Sequence, residues 1–267
     1  MAVTDARAYT VILISTSVDA RVSLGPGRIW TDDLTDPRNA REGDTTYGAD
    51  AWREASEYIE RKLHPRGEMQ GMGSFVREGE ELAALPPFPG DASLLYEDYM
   101  PEELQPQARS LRWLLVTDGR GRLRGGYTGA ERPDCHILHL TSRAAPPEYL
   151  AFLHDCRIPY LVLGQERVDL PLAMRRLRTD LGIECVLSEA GGRLNGALLR
   201  AGLVDELHLI LRPELIGGSR TPALFDGPDL TPDQWPDPLR LDAATVRAGG
   251  YLWLRYSVAA KHGTAHG

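Results

Sequence analysis

Residues 182–218 hold the side chains best suited to chemistry. Cys185 to Ser188 is a short apolar run that reads as a strand, and Glu189 stands at its end. Gly191 and Gly192 follow, a pair that lets the backbone turn tightly and come close to a ligand. A helix is expected to start near Arg193 or Leu194 and to run over 194–201. The first N–H groups of a helix have no partner within it, so such a start behind a glycine turn is a ready anion site, most often for phosphate. Taken alone, such a pair is more often a plain turn between strand and helix.

Four further clusters follow stretches that read as strands. These are Asp19 after 9–15, Gly73 and Ser74 after 68–71, Thr141, Ser142 and Arg143 closing 135–141, and Gly164 after 159–163. In open α/β sheets ligands gather at the C-terminal ends of strands, so the shared position of the five clusters outweighs any one of them. Asp19 and Glu189 are the acidic residues best placed to deliver a proton there, although Asp19 could equally cap its own turn through local hydrogen bonds. Nothing resembles a nucleophile paired with its base, which argues against covalent catalysis.

The elements that must position these residues alternate. A helix is expected over 51–63, capped by Asp50, with Trp52, Ala55, Ile59 and Leu63 on one face. Strands over 112–117, 135–141, 159–163 and 206–211 alternate with helices over 146–156 and 171–181. Strands alternating with helices imply a mainly parallel sheet with helices on its faces. Residues 239–247 and 251–258 flank Ala248, Gly249 and Gly250 and read as a closing antiparallel hairpin. Residues 26–48 read as a loop. Residues 77–110, rich in Glu and Pro, read as a long surface insertion with one helical turn. The expected organisation is one α/β domain over 1–259, with a frayed tail at 260–267.

The 267 residues are 42% hydrophobic and 25% charged, the composition of an ordinary globular protein. No apolar run approaches the roughly 20 residues that span a bilayer, and residues 1–10 lack the pattern of a signal peptide. A cytoplasmic location is expected. The net charge of −8 argues against nucleic acid and acidic membranes as partners. Cys135, Cys156 and Cys185 are read as buried, reduced thiols, and no histidine pair has metal-ligand spacing, so no metal is expected.

The string Ser-Glu-Ala-Gly-Gly-Arg-Leu-Asn from Ser188 to Asn195, then Gly-Leu-Val-Asp-Glu-Leu from Gly202, then Pro-Glu-Leu-Ile-Gly-Gly from Pro213, resembles the reductase domain of riboflavin biosynthesis. Ala190 stands where that family has its first glycine. Ser15 to Val22 is similar to the family's Ser-Leu-Asp-Gly-Arg-Ile element, and Gly71-Met72-Gly73-Ser74 to its Gly-x-Gly-Thr turn. The resemblance implies a dihydrofolate-reductase-like fold, NADPH as cofactor, a stand-alone homodimer, and reduction of the ribose of a 5-amino-6-ribosylaminopyrimidine 5′-phosphate to a ribityl chain. It further implies that Ala190, Gly191, Gly192, Arg193, Leu194 and Asn195 hold the pyrophosphate, with Gly164 at the same cofactor edge. Gly73 and Ser74 would lie along the nicotinamide. Thr141, Ser142 and Arg143 would face the adenosine 2′-phosphate, with Arg143 selecting NADPH over NADH. Glu189 would contact substrate hydroxyls, and Lys62, or Arg61 in its place, would be a basic substrate-binding position.

One departure matters. After the glycine turn the family continues with an Asp-Asp-Pro and a Leu-Thr-x-Arg whose arginine helps hold the substrate phosphate. Here Phe75-Val76-Arg77-Glu78-Gly79-Glu80-Glu81-Leu82 follows, and the expected arginine is missing. Reduction of another small heterocycle or imine therefore stands beside the riboflavin reading, and a non-catalytic dinucleotide-binding or scaffold protein stands as a third.

Overall fold

The computed structural model describes residues 6–28, 48–77, 79–124 and 134–259. In chain order the elements are β1 (Tyr9–Ser17), α1 (Ala49–Leu63), β2 (Gly67–Gly71), β3 (Trp113–Thr117), β4 (His136–Thr141), α2 (Pro147–Asp155), β5 (Tyr160–Val162), α3 (Leu170–Thr179), β6 (Cys185–Ser188), α4 (Gly192–Arg200), β7 (Glu206–Arg212), β8 (Leu239–Val246) and β9 (Leu252–Val258). The fold is α/β, with mainly parallel strands, helices and a C-terminal antiparallel hairpin, as expected. The chain divides into two compact units, one of residues 1–8 and 64–190, the other of residues 9–63 and 191–267.

In the first unit β2 pairs with β3 and β6, β3 with β4, and β4 with β5, every pair parallel. Parallel strands buried on both faces read as continuous apolar runs, which is why Leu114, Leu115 and Val116 stand in sequence and all are buried. Tyr149, Leu150 and Leu153 of α2 close over Leu114, Val116 and Ile137. Each such side chain contributes roughly 1.5–3 kcal/mol by leaving water. Asp169 caps α3 by accepting from the N–H of Leu172 at 2.9 Å.

Residues 79–110 are more structured than their composition suggests. They form two 3-10 turns, Ala92–Tyr96 and Gln105–Gln107, and run as a strap along the β5 edge. Tyr99 and Tyr160 exchange both backbone hydrogen bonds at 2.9 Å. Asp98 accepts from the N–H of Val162 at 2.8 Å and pairs with Arg176 at 2.7 Å. A strap of this kind blunts the exposed donors and acceptors of an edge strand.

In the second unit β1 and β7 are parallel, β7 and β9 antiparallel, and β9 pairs with β8 across the turn at Ala248–Gly250. Asp50 does not cap α1 as expected. The helix begins two residues earlier, at Ala49, and the Asp50 carboxylate instead bonds Arg53 at 2.6 Å one turn on. Cys135 and Cys185 are buried thiols, whereas Cys156 is exposed. The expected loop over 26–48 and the tail over 260–267 lie almost wholly outside the described residues. Among the described residues no helix is long and apolar enough to cross a membrane.

Candidate functional site

Register sets the geometry of the first unit. Gly71 pairs with Thr117, Thr117 with Leu140, Thr141 with Val162, and Met69 with Ser188. The five parallel strands therefore end level. Gly73, Ser74, Thr141, Ser142, Arg143, Gly164, Glu189 and Ala190 all emerge at that one edge.

The loops there are knitted together. Ser142 is buried, and its Oγ donates to the carbonyl of Gly119 at 2.7 Å. The N–H of Arg143 donates to the carbonyl of Gly164 at 3.1 Å. Gly164 has φ +100, and a Cβ there would stand 2.3 Å from the Arg167 carbonyl oxygen, so only glycine fits. Arg143 itself is exposed, with its guanidinium 5.8 Å from the centre of the Tyr96 ring. Thr141 is fully buried and its hydroxyl finds no hydrogen-bond partner among the described residues. Ser74 donates to Gln70 Oε1 at 3.0 Å. At Gly73 a Cβ would meet nothing within 4 Å among the described residues, which leave that face open. Glu189 is half-buried, its N–H donating to the Met69 carbonyl at 3.2 Å.

Beneath this edge lies a buried polar group that sequence reasoning missed. Asp118 closes β3 and accepts from the N–H groups of Arg122 at 2.7 Å and Leu123 at 2.8 Å. His139 Nδ1 and the Tyr149 hydroxyl share a hydrogen bond at 2.9 Å. Burial pushes the His139 pKa down to about 4, against the opposing charge of Asp118, so the ring is neutral at physiological pH. Burial and then the Asp118 charge push the Tyr149 phenol well up. The only sequence signal was Asp-Gly-Arg-Gly at 118–121, which reads as a turn and no more.

In the second unit, Asp19 lies just beyond β1. Its carboxylate accepts from Ser17 Oγ at 2.6 Å and from the N–H groups of Ile216 at 3.1 Å and Gly217 at 2.6 Å. The Ser17 hydroxyl, followed by the backbone donors, holds its pKa down to about 2. A carboxylate so firmly ionised does not suit the expected proton donor. It suits an anchor for the Gly217–Gly218 turn, the alternative its position allowed. Lys62 and Arg61 are both exposed in the last turn of α1.

Helix α4 starts earlier than expected, with Gly191 as N-cap and Gly192 inside the first turn. No side chain caps it. The two glycines differ in role. At Gly191 a Cβ would meet nothing within 4 Å among the described residues, whereas at Gly192 it would stand 2.0 Å from the Ala223 carbonyl oxygen. The close approach at Gly192 is thus to the protein's own backbone, and the open position is Gly191. Arg193 is exposed, Leu194 half-buried and Asn195 fully buried.

Both acid-sensitive groups push stability the same way. His139 has a folded pKa below its unfolded value, so the unfolded chain binds its proton first as pH falls. Its stabilising contribution is whole above about pH 6.5 and is lost toward pH 4. Asp19 adds a second loss from about pH 3.8 to about 2. We expect denaturant midpoints to fall across both windows, and His139→Gln to flatten the upper one. An upper window unchanged in that variant would refute the assignment.

Level strand ends, glycine turns and short polar loops define an α/β protein of the kind that gathers its ligand at strand C-termini. Residues 127–252 match the family described as the RibD C-terminal domain. The chain is 40% identical over 118 residues to the 2,5-diamino-6-ribosylamino-4(3H)-pyrimidinone 5′-phosphate reductase of Methanothermobacter thermautotrophicus, covering 44% of this chain and 53% of that protein. It is 34% identical over 91 residues to the protein of the same description from Aquifex aeolicus, covering 33% and 38%. The matches thus span about half or less of those relatives' length. Among solved structures, a pyrimidine reductase-like protein from Corynebacterium diphtheriae aligns with TM-score 0.61 at 16% identity, covering 95% of this chain and 92% of that one. The riboflavin biosynthesis reductase Rib7 of Saccharomyces cerevisiae aligns with TM-score 0.55 at 15% identity, covering 97% and 93%. The structures show the shared fold. The sequence matches bear out the resemblance to riboflavin-pathway reductase domains carried by the glycine motifs.

Proposed function

We propose that the chain is an NADPH-dependent reductase that converts the ribose of a ribosylaminopyrimidine 5′-phosphate to a ribityl chain. The observation that carries this is the 40% identity to the archaeal reductase over 118 residues. The residues fit the cofactor. Gly73 and Gly191 leave open the space a Cβ would fill, and α4 begins without a side-chain cap. An uncapped helix start favours a phosphate. In this reading Gly191 and Arg193, both exposed at the start of α4, hold the pyrophosphate, with the buried Ala190, Gly192 and Asn195 shaping the turn behind them, Gly73 and Ser74 lie along the nicotinamide, and Gly164 shapes the cofactor edge. Arg143 meets the 2′-phosphate, where a guanidinium can bond in a bidentate way, while the buried Thr141 and Ser142 stand behind it.

When bound, NADPH supplies the hydride, and the protein supplies orientation and the exclusion of water. Glu189 meets the substrate hydroxyls, with Lys62 as the basic contact on the substrate side. Asp19 acts through the turn it anchors. The exposed apolar side chains of β8, Leu239, Leu241 and Val246, support a homodimer, which sedimentation would test.

A second reading, reduction of a phosphate-free heterocycle or imine, is favoured by the segment after the glycine turn. Phe75, Val76 and Leu82 pack into the first unit's core, and Glu80 accepts from the N–H of Arg77 at 2.8 Å. That segment is committed to structure where the family has a phosphate-binding arginine. NADPH oxidation with the ribosylaminopyrimidine phosphate and with its dephosphorylated form separates the readings. The riboflavin reading expects turnover of the phosphate, and turnover of the dephosphorylated form alone would favour the second. A dinucleotide-binding protein without catalysis would bind NADPH and consume none.

A further inference from the structure

We propose that Tyr96, on the strap over the β5 edge, is a positioning residue that sets the Arg143 guanidinium for the 2′-phosphate and so takes part in choosing NADPH over NADH. The inference rests on the cofactor reading above. The strap belongs to the segment where this chain departs from the family pattern, so nothing in that pattern assigns it a part at the cofactor edge.

The backbone of Arg143 is pinned, but its side chain is long, exposed and free to sample many rotamers. Its N–H is tied to the Gly164 carbonyl at 3.1 Å, and the N–H of Ala145 returns to the Ser142 carbonyl at 3.1 Å. What restrains the far end is the Tyr96 ring, 5.8 Å from the guanidinium carbon, within the reach of a cation–π contact. The ring is itself fixed. The Tyr96 hydroxyl donates to the Ala145 carbonyl at 3.0 Å, two residues beyond Arg143. On either side of it the strap is tied to β5, through the Tyr160 hydroxyl to the Leu95 carbonyl at 2.9 Å and through the N–H of Val162 to Asp98 at 2.8 Å. A platform anchored at three points thus holds an arginine whose task is directional, and restricting that arginine beforehand reduces the entropy lost when it binds.

The test is the ratio of NADPH to NADH affinity, read by fluorescence titration, with thermal melting as the control for folding. Arg143→Ala should lower the ratio about tenfold or more, the loss of a charge-assisted phosphate contact. Tyr96→Leu should lower it about threefold, the size of an exposed cation–π contact, with NADH affinity unchanged. Tyr96→Phe keeps the ring and the ties on either side of it, losing one of three anchors, and should lower the ratio less than Tyr96→Leu does. If Tyr96→Leu does not fold, pentafluorophenylalanine at position 96 keeps the ring's volume while reversing the charge of its face, and must show the same fall relative to Tyr96→Phe. A wild-type ratio in Tyr96→Leu, with the ratio lost in Arg143→Ala, would overturn the role of Tyr96 and leave the cofactor reading standing. No NADPH preference in the wild type would sink both.

Discussion

Alanine at Gly192 or Gly196 should destabilise the protein by roughly 1–3 kcal/mol each, the usual cost of forcing an extra carbon into a filled site, and lower Tm by several degrees. Alanine at Gly191 should leave Tm unchanged. The two sensitive positions are four residues apart on α4 and so share one face. A Cβ at Gly192 would stand 2.0 Å from the Ala223 carbonyl oxygen, and one at Gly196 1.9 Å from that of Asp226. Those oxygens cannot swing away. The N–H of Asp226 is bound to the Gly192 carbonyl at 2.9 Å, that of Leu224 to the Ala20 carbonyl at 3.1 Å, and that of Val22 to the Pro222 carbonyl at 3.1 Å. Gly191 meets nothing, so an added methyl there should weaken NADPH binding alone. Thermal melts beside NADPH titrations check the whole set. Equal Tm losses at 191 and 192 would contradict the division of roles between the paired glycines.

Asp118→Ala should cost about 2–6 kcal/mol, since one buried and one partly buried N–H lose their acceptor and each unpaired group costs about 1–3. Asp118 is 1% exposed and holds the N–H groups of Arg122 and Leu123. Asp118→Asn keeps one carbonyl oxygen and should fall between the alanine variant and wild type. The effect should also reach the ligand edge. The carbonyl of Gly119, the next residue, accepts the Ser142 hydroxyl at 2.7 Å, so slack in this turn passes to the loop that carries Arg143. Urea unfolding measures the first effect and NADPH affinity the second. An unchanged urea midpoint in Asp118→Ala would show that the turn is held by something else.

The fold was legible because its strands obey simple patterns. β1 and β3 are built on the apolar runs Val11–Ile14 and Trp113–Val116, and the glycines after β2, β5 and β6 mark turns at their ends. The level strand ends that gather Gly73, Thr141, Arg143, Gly164 and Glu189 followed from the parallel order alone. What sequence could not show depended on distant partners. Gly192 looked like a ligand glycine because its true neighbour, Ala223, lies 31 residues further on. Asp19 looked like an acid because the N–H groups that keep it ionised come from Ile216 and Gly217. The strap over 77–110 has no periodicity to read. It is held by one backbone pair between Tyr99 and Tyr160 and by single bonds at Leu95, Tyr96 and Asp98 to β5 and the loop before α2, and such bonds leave no repeating mark in a sequence.

The central claim is a hydride delivered from NADPH to the sugar carbon that carries the ring amine. The most direct measurement incubates the protein with NADPH deuterated at the nicotinamide C4 and with the ribosylaminopyrimidine 5′-phosphate, then locates the deuterium by mass spectrometry and NMR. The account predicts one deuterium on the first carbon of a ribityl chain. NADPH bound but unconsumed, with the ribose intact, would contradict it.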